Sequence, residues 1–169
     1  DHDGTGLELS QLLESLRQLE PGSIVYHADF HVDKHGNTIN IETLMPLLAQ
    51  NTPCPVFVHN ATYLGLGALG GKLNVGFDQG KTAGILAQRI WAGTAPADIP
   101  LVFENGNRVM VDYRQITRWG ISTQAVSVAA GVPEQAIVFV NKQEDFWRGR
   151  GKYVFAGLGF IVLEGALIA

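Results

Sequence analysis

Two short runs of strand-forming residues, SIVYHADF at residues 23–30 and PVFVH at residues 55–59, alternate with stretches whose apolar residues keep helical spacing. This alternation constrains the fold more than any other feature. Short apolar strands need cover on their faces, and intervening helices supply it by crossing over a parallel sheet. Leu9, Leu12, Leu13, Leu16 and Leu19 mark a first helix, opened by a T-x-x-E capping box at Thr5 and Glu8 and ended by Pro21 and Gly22. Ile41, Leu44, Met45 and Leu48 mark a second, whose start is blurred by Pro46. Lys34 to Asn37, KHGN, reads as a turn.

The pattern continues downstream. Asp78 is placed to cap a helix carrying Ala83, Leu86, Ala87 and Ile90, with Gly93 as its stop. LVFE from Leu101 and VMVD from Val109 are expected as short strands around a turn at Gly106 and Asn107. Helices over residues 113–119 and 123–130 and a strand over 136–140 complete an α/β domain with a mostly parallel sheet.

GLGALGG, residues 65–71, fits the G-x-G-x-x-G pattern of dinucleotide-binding loops. That motif needs a strand running into its first glycine, a helix opening at its third, and an acidic residue about 20 positions on. Here Asn60 to Leu64 intervene, KLNVGF follows, Asp78 comes too early and Asp98 too late. The stretch is therefore expected to be a tight loop at the carboxyl end of a strand, where open α/β sheets bind ligands. GFDQGKT, residues 76–82, imitates a phosphate loop but has three residues between its glycines where four are required. Neither motif supports a nucleotide enzyme.

The run HADFHVDKH sets His27, Asp29, His31, Asp33 and His35 at alternate positions. On a continuing strand all would share one face, but successive members stand roughly 6.6 Å apart. Only neighbours could share an ion, with His59 or Asp78 as a further ligand, so a solvated strand end is the expected reading and no metal is assigned. No serine lies in a G-x-S-x-G context, and Cys54, between two prolines, is expected to be an inert buried thiol. No catalytic residue and no cofactor are expected.

Composition narrows the partners. The net charge is -4, from 12 basic and 16 acidic side chains, with no long basic run before residue 148, which argues against nucleic acid. A single cysteine excludes an internal disulfide. The apolar run at residues 153–169 carries one charge, Glu164, and is expected to be a transmembrane helix truncated by the chain end, behind a polar linker at 141–152.

Residues 64–122, with Pro55-Val56-Phe57, the glycines of 65–71, Gly80, Ala83, Gly93, Pro96, Pro100 and Gly120-Ile121, resemble the ABC-transporter substrate-binding protein family of the type I periplasmic fold. The likeness covers roughly residues 7–140 and departs at Asp112, where Asn is usual. The segment EDFWRGRGKYVFAGLGFIVLEGALIA is similar to the juncture by which such domains join bacterial membrane-bound histidine kinases or diguanylate cyclases.

The resemblance implies a two-lobed clamshell on the periplasmic side of the inner membrane, anchored there by its C-terminal helix. The second lobe is expected at about 7–100, and a return segment to a missing first lobe at about 101–140. The implied ligand is an amino acid or small organic solute, and homodimerisation of the full-length protein is compatible. The ligand-binding residues expected are Asp29, Phe30 and His31 after the first strand, and His59, Asn60, Tyr63, Leu64 and Gly65 after the second. A transporter's solute-binding protein is the alternative reading, and a nucleotide-dependent α/β enzyme the third.

Overall fold

In the first helix, α1 (Leu9–Arg17), the backbone N–H of Glu8 donates to Gln11 Oε1 at 3.1 Å. The box that opens this helix is thus Glu8 with Gln11, three residues later than expected, and Thr5 lies outside the described residues. The computed structural model describes residues 6–102 and 106–143. After α1 come β1 (Val25–His27), α2 (Ile41–Gln50), β2 (Val56–Val58), a 3-10 turn (Ala61–Tyr63) and β3 (Gly70–Leu73). Then follow α3 (Gly76–Trp91), β4 (Arg108–Asp112), α4 (Tyr113–Arg118), α5 (Thr123–Ala130) and β5 (Val138–Val140).

The strands form one sheet in the order β1-β2-β3-β4-β5. β1 and β2, β2 and β3, and β4 and β5 pair in parallel, while β3 and β4 pair antiparallel. The α/β class and the mostly parallel sheet stand, with one antiparallel seam.

α2 starts where Asn40 Oδ1 accepts the N–H of Glu42 at 2.9 Å, and it tolerates Pro46 inside it. Its apolar stripe buries Leu44, Met45, Leu48 and Ala49. With Leu16 of α1 and Val56, Val58 and Leu73 of the sheet, Leu44, Met45 and Leu48 make one core cluster. Phe57, between Val56 and Val58, turns to the opposite face, as strand alternation requires. There Leu69, Val111, Ile116 and Ile137 form a second cluster under α4 and α5.

Three departures from the sequence pattern matter for function. The end of the glycine stretch is not loop: Gly70 and Gly71 open β3. Asp78 does not cap α3, which starts at Gly76 behind Val75; its carboxylate is drawn instead into a two-pronged pair with Arg108, at 2.7 and 2.8 Å. Leu101 and Val102 are exposed and in no strand, and residues 103–105 lie outside the described residues.

β4 and β5, in the segment expected to return to an absent lobe, hydrogen-bond into the sheet of β1–β3, where β4 matches β3 over four residue pairs. What fails to pack is α3. No residue of it is buried, and Phe77, Trp91 and Leu101 stand 80%, 92% and 80% exposed. No helix among the described residues is long and apolar enough to cross a membrane. The expected membrane helix at 153–169, and the linker beyond residue 143, lie outside those residues.

Candidate functional site

β1 ends at His27 and β2 at Val58, opposite each other in register. The chains leaving them, Ala28 to His31 and His59 to Tyr63, therefore emerge side by side at the carboxyl edge of the parallel pair. Asn60 turns the second chain: its Oδ1 accepts the N–H of Thr62 at 3.1 Å and caps the 3-10 turn that carries Tyr63. Asn74 N–H, after β3, donates to His59 O at 2.7 Å and fixes the same loop.

Four of the expected residues converge. The Tyr63 hydroxyl donates to Asp29 Oδ1 at 2.9 Å. His31 Nε2 lies 2.9 Å from the same oxygen, and His59 Nε2 lies 3.7 Å from Asp29 Oδ2. The rings of His27 and His59 meet Tyr63 edge-on at 5.1 and 5.7 Å between centroids. Tyr63 and His27 are buried, Asp29 and Tyr26 are exposed, and His31 and His59 are half-buried.

Burial first, then the hydrogen bond to ionised Asp29, pushes the Tyr63 hydroxyl up to about 12, so it stays a donor. For Asp29, partial desolvation favours the neutral acid, but hydrogen bonds from Tyr63 and His31 outweigh it and hold the carboxyl below its usual range. His27 is lowered chiefly by burial and further by the neighbouring His31. It is a neutral imidazole at physiological pH, and neither its Nε2 nor His59 Nδ1 has a partner among the described residues.

The other expected residues have different duties. Phe30 and Leu64 pack on the first core cluster. Gly65, with φ of 86°, lies by Arg114 and Asn141, and its carbonyl accepts from Arg114 Nη2 at 3.3 Å. The alternation past His31 does not extend a strand, since β1 stops at His27. Asp33 closes a turn on Asn37, at 2.9 and 2.8 Å, and His35 reaches back to Glu8 at 2.8 Å. Among the described residues no group of three or more His, Cys, Asp or Glu side chains is placed to hold a metal ion.

Sequence reasoning missed two contributors. Tyr26, one residue before the strand end, sets its ring 6.5 Å from that of His59. Buried Asp112 and the exposed Arg114 and Asn141 form a hydrogen-bonded knot beside Gly65, and its one trace in the sequence is Asp112 standing where the resemblance wants Asn. An open groove of about 410 Å³ lies elsewhere, between α3 and residues 96–102, and is lined by Ala83, Leu86, Ile90, Pro96, Ile99 and Leu101. It offers no ionisable group and belongs to the uncovered surface of α3.

The histidine cluster gives this protein a pH signature. His27 has a folded value below its unfolded one, near 6.5, so its contribution to stability is complete above about pH 6.5 and erodes as pH falls from there. Asp29, also lowered, adds a loss only further down, as pH drops through its folded value. Urea midpoints measured from pH 8 to pH 4 should stay level to about 6.5 and then decline, and His27→Gln should flatten the upper part of that decline. A wild-type midpoint unchanged between pH 7 and 5 contradicts the burial of a neutral His27.

No protein-family model, no curated protein and no solved structure matches this chain, so what the site can do is read from its own geometry.

Proposed function

We propose that this chain is the second lobe of an extracytoplasmic small-solute sensor, of the substrate-binding type its sequence resembles. Ligand would close the clamshell, and the movement would pass through the linker at 141–152 to a membrane helix and a bacterial signalling output. The observation carrying this reading is the Asp29–His31–His59–Tyr63 cluster at the carboxyl ends of adjacent parallel strands, the place where open α/β sheets take ligands.

The uncovered face of α3 supports the same reading. The chain leaves the sheet after β3, runs through an amphipathic helix that buries nothing here, and re-enters at β4 antiparallel to β3. A strand pair that goes out and back, with an apolar helix at its far end, suits two connections crossing to a first lobe that covers that helix. The lobe boundary then falls near residues 75 and 107, with 108–143 on the side of β1–β3. A ligand shifts closure only by its preference for the closed form, which contacts from both lobes provide. The reading assigns this segment a binding role and no catalysis.

Thermal unfolding with amino acids and small organic acids tests it. A solute at 100 times its Kd adds about 2.7 kcal/mol, which raises the Tm of a domain this size by roughly 5–10 °C. His59→Ala should abolish the shift. A screen in which nothing raises Tm, or in which His59→Ala leaves every shift intact, removes the proposal.

A further inference from the structure

The two oxygens of Asp29 are used unequally. Oδ1 takes both Tyr63 and His31, each at 2.9 Å. No hydrogen bond to Oδ2 is found among the described residues, and His59 Nε2 stands 3.7 Å from it, beyond hydrogen-bond reach. The side chain is 58% exposed, so the carboxylate is open to a solute from outside.

Four other carboxylates pair with strong bases within the fold: Glu8 with Lys34, Glu14 with Arg17, Asp78 with Arg108 and Asp112 with Arg114. Asp33, which has no such base, is satisfied by its own turn through Asn37 and the His35 N–H. Among the described residues no lysine or arginine pairs with Asp29. Its close neighbours are a phenol and an imidazole that hydrogen-bond to it, and a second imidazole beyond hydrogen-bond reach, none of which brings a permanent positive charge. Beside it Tyr26 is 60% exposed, with its ring tilted at 48° to that of His59. An exposed carboxylate with one free oxygen, next to aromatic faces, lacks one complement: a cation with N–H donors and an apolar body.

We infer that Asp29 Oδ2 receives a protonated amine, so that the solute bound here is an ammonium compound whose hydrocarbon part lies against Tyr26. The inference rests on the reading of this cluster as the solute site. A carboxyl group on the same solute is not required by anything in this lobe, so free amines and amino acids share the recognised chemistry.

Calorimetric titration of the whole chain with leucine, isoamylamine and 4-methylpentanoate separates the cases, because the three share one hydrocarbon skeleton. The amine-bearing members should bind and the acid should bind at least roughly 10-fold more weakly, since a hydrogen bond between charged groups is lost. Binding by both amines, or by leucine alone, supports the inference and distinguishes a free amine from an amino acid as the source. Asp29→Asn should weaken the amine by roughly 10- to 100-fold, whereas Asp29→Glu, which keeps the charge, should retain binding. Circular dichroism of both variants confirms that each is folded. If the acid binds as well as the amine, and His59→Ala abolishes that binding while Asp29→Asn does not, the ammonium inference falls and the solute site stands. If none of the three binds and no other solute does, the reading of the site fails and takes the inference with it.

Discussion

Gly70→Ala is expected to abolish the cooperative fold. Gly70 holds φ at 135°, a conformation that L side chains rarely adopt, and a Cβ there would sit 2.1 Å from Met110 O and 2.8 Å from Val111 Cα. Both obstacles are backbone of the neighbouring strand, so no side chain can swing aside. The methyl group fits only if β3 moves off β4, and that breaks the register from Gly70↔Val111 to Leu73↔Arg108 on which the antiparallel seam depends. Backbone strain costs about 1–3 kcal/mol, and forcing a methyl into a closed space typically costs about 1–3 more. Loss of the seam comes on top, against a total stability of about 5–15 kcal/mol for an ordinary domain. Urea unfolding followed by circular dichroism should show no cooperative transition, or one at a much lower midpoint. Gly84→Ala is the matched control. It lies in α3 with nothing within 4 Å of the added carbon, and it should gain up to about 1 kcal/mol from helix propensity. A Gly70→Ala chain that unfolds at the wild-type midpoint refutes the packing account of these glycines.

The same geometry explains what the sequence could and could not tell. GLGALGG was separable from a dinucleotide loop because its flanks are wrong: residues 60–64 interrupt the approach and no helix opens at its end. That a strand lies there instead was illegible, because GGKL has no β-branched or aromatic residue. The strand exists because hydrogen in place of a side chain lets the backbone of β3 lie close against β2 and β4, which is a tertiary reason. Asp29, His59 and Tyr63 were legible from the rule that ligands gather at strand ends. Tyr26 and His27 were not, since alternation says which face a residue takes but not which faces a neighbouring loop will cover. The spacing of Ala83, Leu86, Ala87 and Ile90 announced an apolar face on α3, and the face is present. What should cover it is not encoded in the helix, and neither is the pairing of β4 with β3.

Asp112→Ala is expected to cost about 1–3.5 kcal/mol, the sum of a lost helix cap of about 0.5–2 kcal/mol and of a lost hydrogen bond from a partly buried donor at about 0.5–1.5 kcal/mol. Asp112 is fully buried at the end of β4. Its Oδ1 accepts the backbone N–H of Arg114 at 3.0 Å, which caps α4, and Arg114 Nε at 3.2 Å. Its Oδ2 accepts Arg114 Nη2 at 2.8 Å and Asn141 Nδ2 at 2.9 Å. Burial alone would favour the neutral acid, but these donors prevail and hold the carboxyl below the usual range. The Arg114 side chain is 56% exposed and Asn141 is exposed too, so both can rehydrate and most of the lasting loss lies in the cap.

Asp112→Asn should cost less, about 1–2 kcal/mol, because its amide oxygen can still cap α4 while its NH2 faces donors. The carboxyl is lowered in the folded chain, so its contribution is full above the unfolded value near 3.8 and fades as pH falls through the folded one. The gap between wild type and Asp112→Ala, read from urea midpoints, should therefore hold at pH 7 and narrow below about pH 4. The knot also holds Gly65 O through Arg114 and Asn141 through its amide, so it ties the loop after Tyr63 to the residue that follows β5. Hydrogen exchange should accordingly quicken around residues 65–66 and 141–143 in Asp112→Ala, beyond the uniform rise that lower global stability brings. Equal acceleration at every amide would mean that the knot stabilises the fold without joining the loop after Tyr63 to the residues that follow β5.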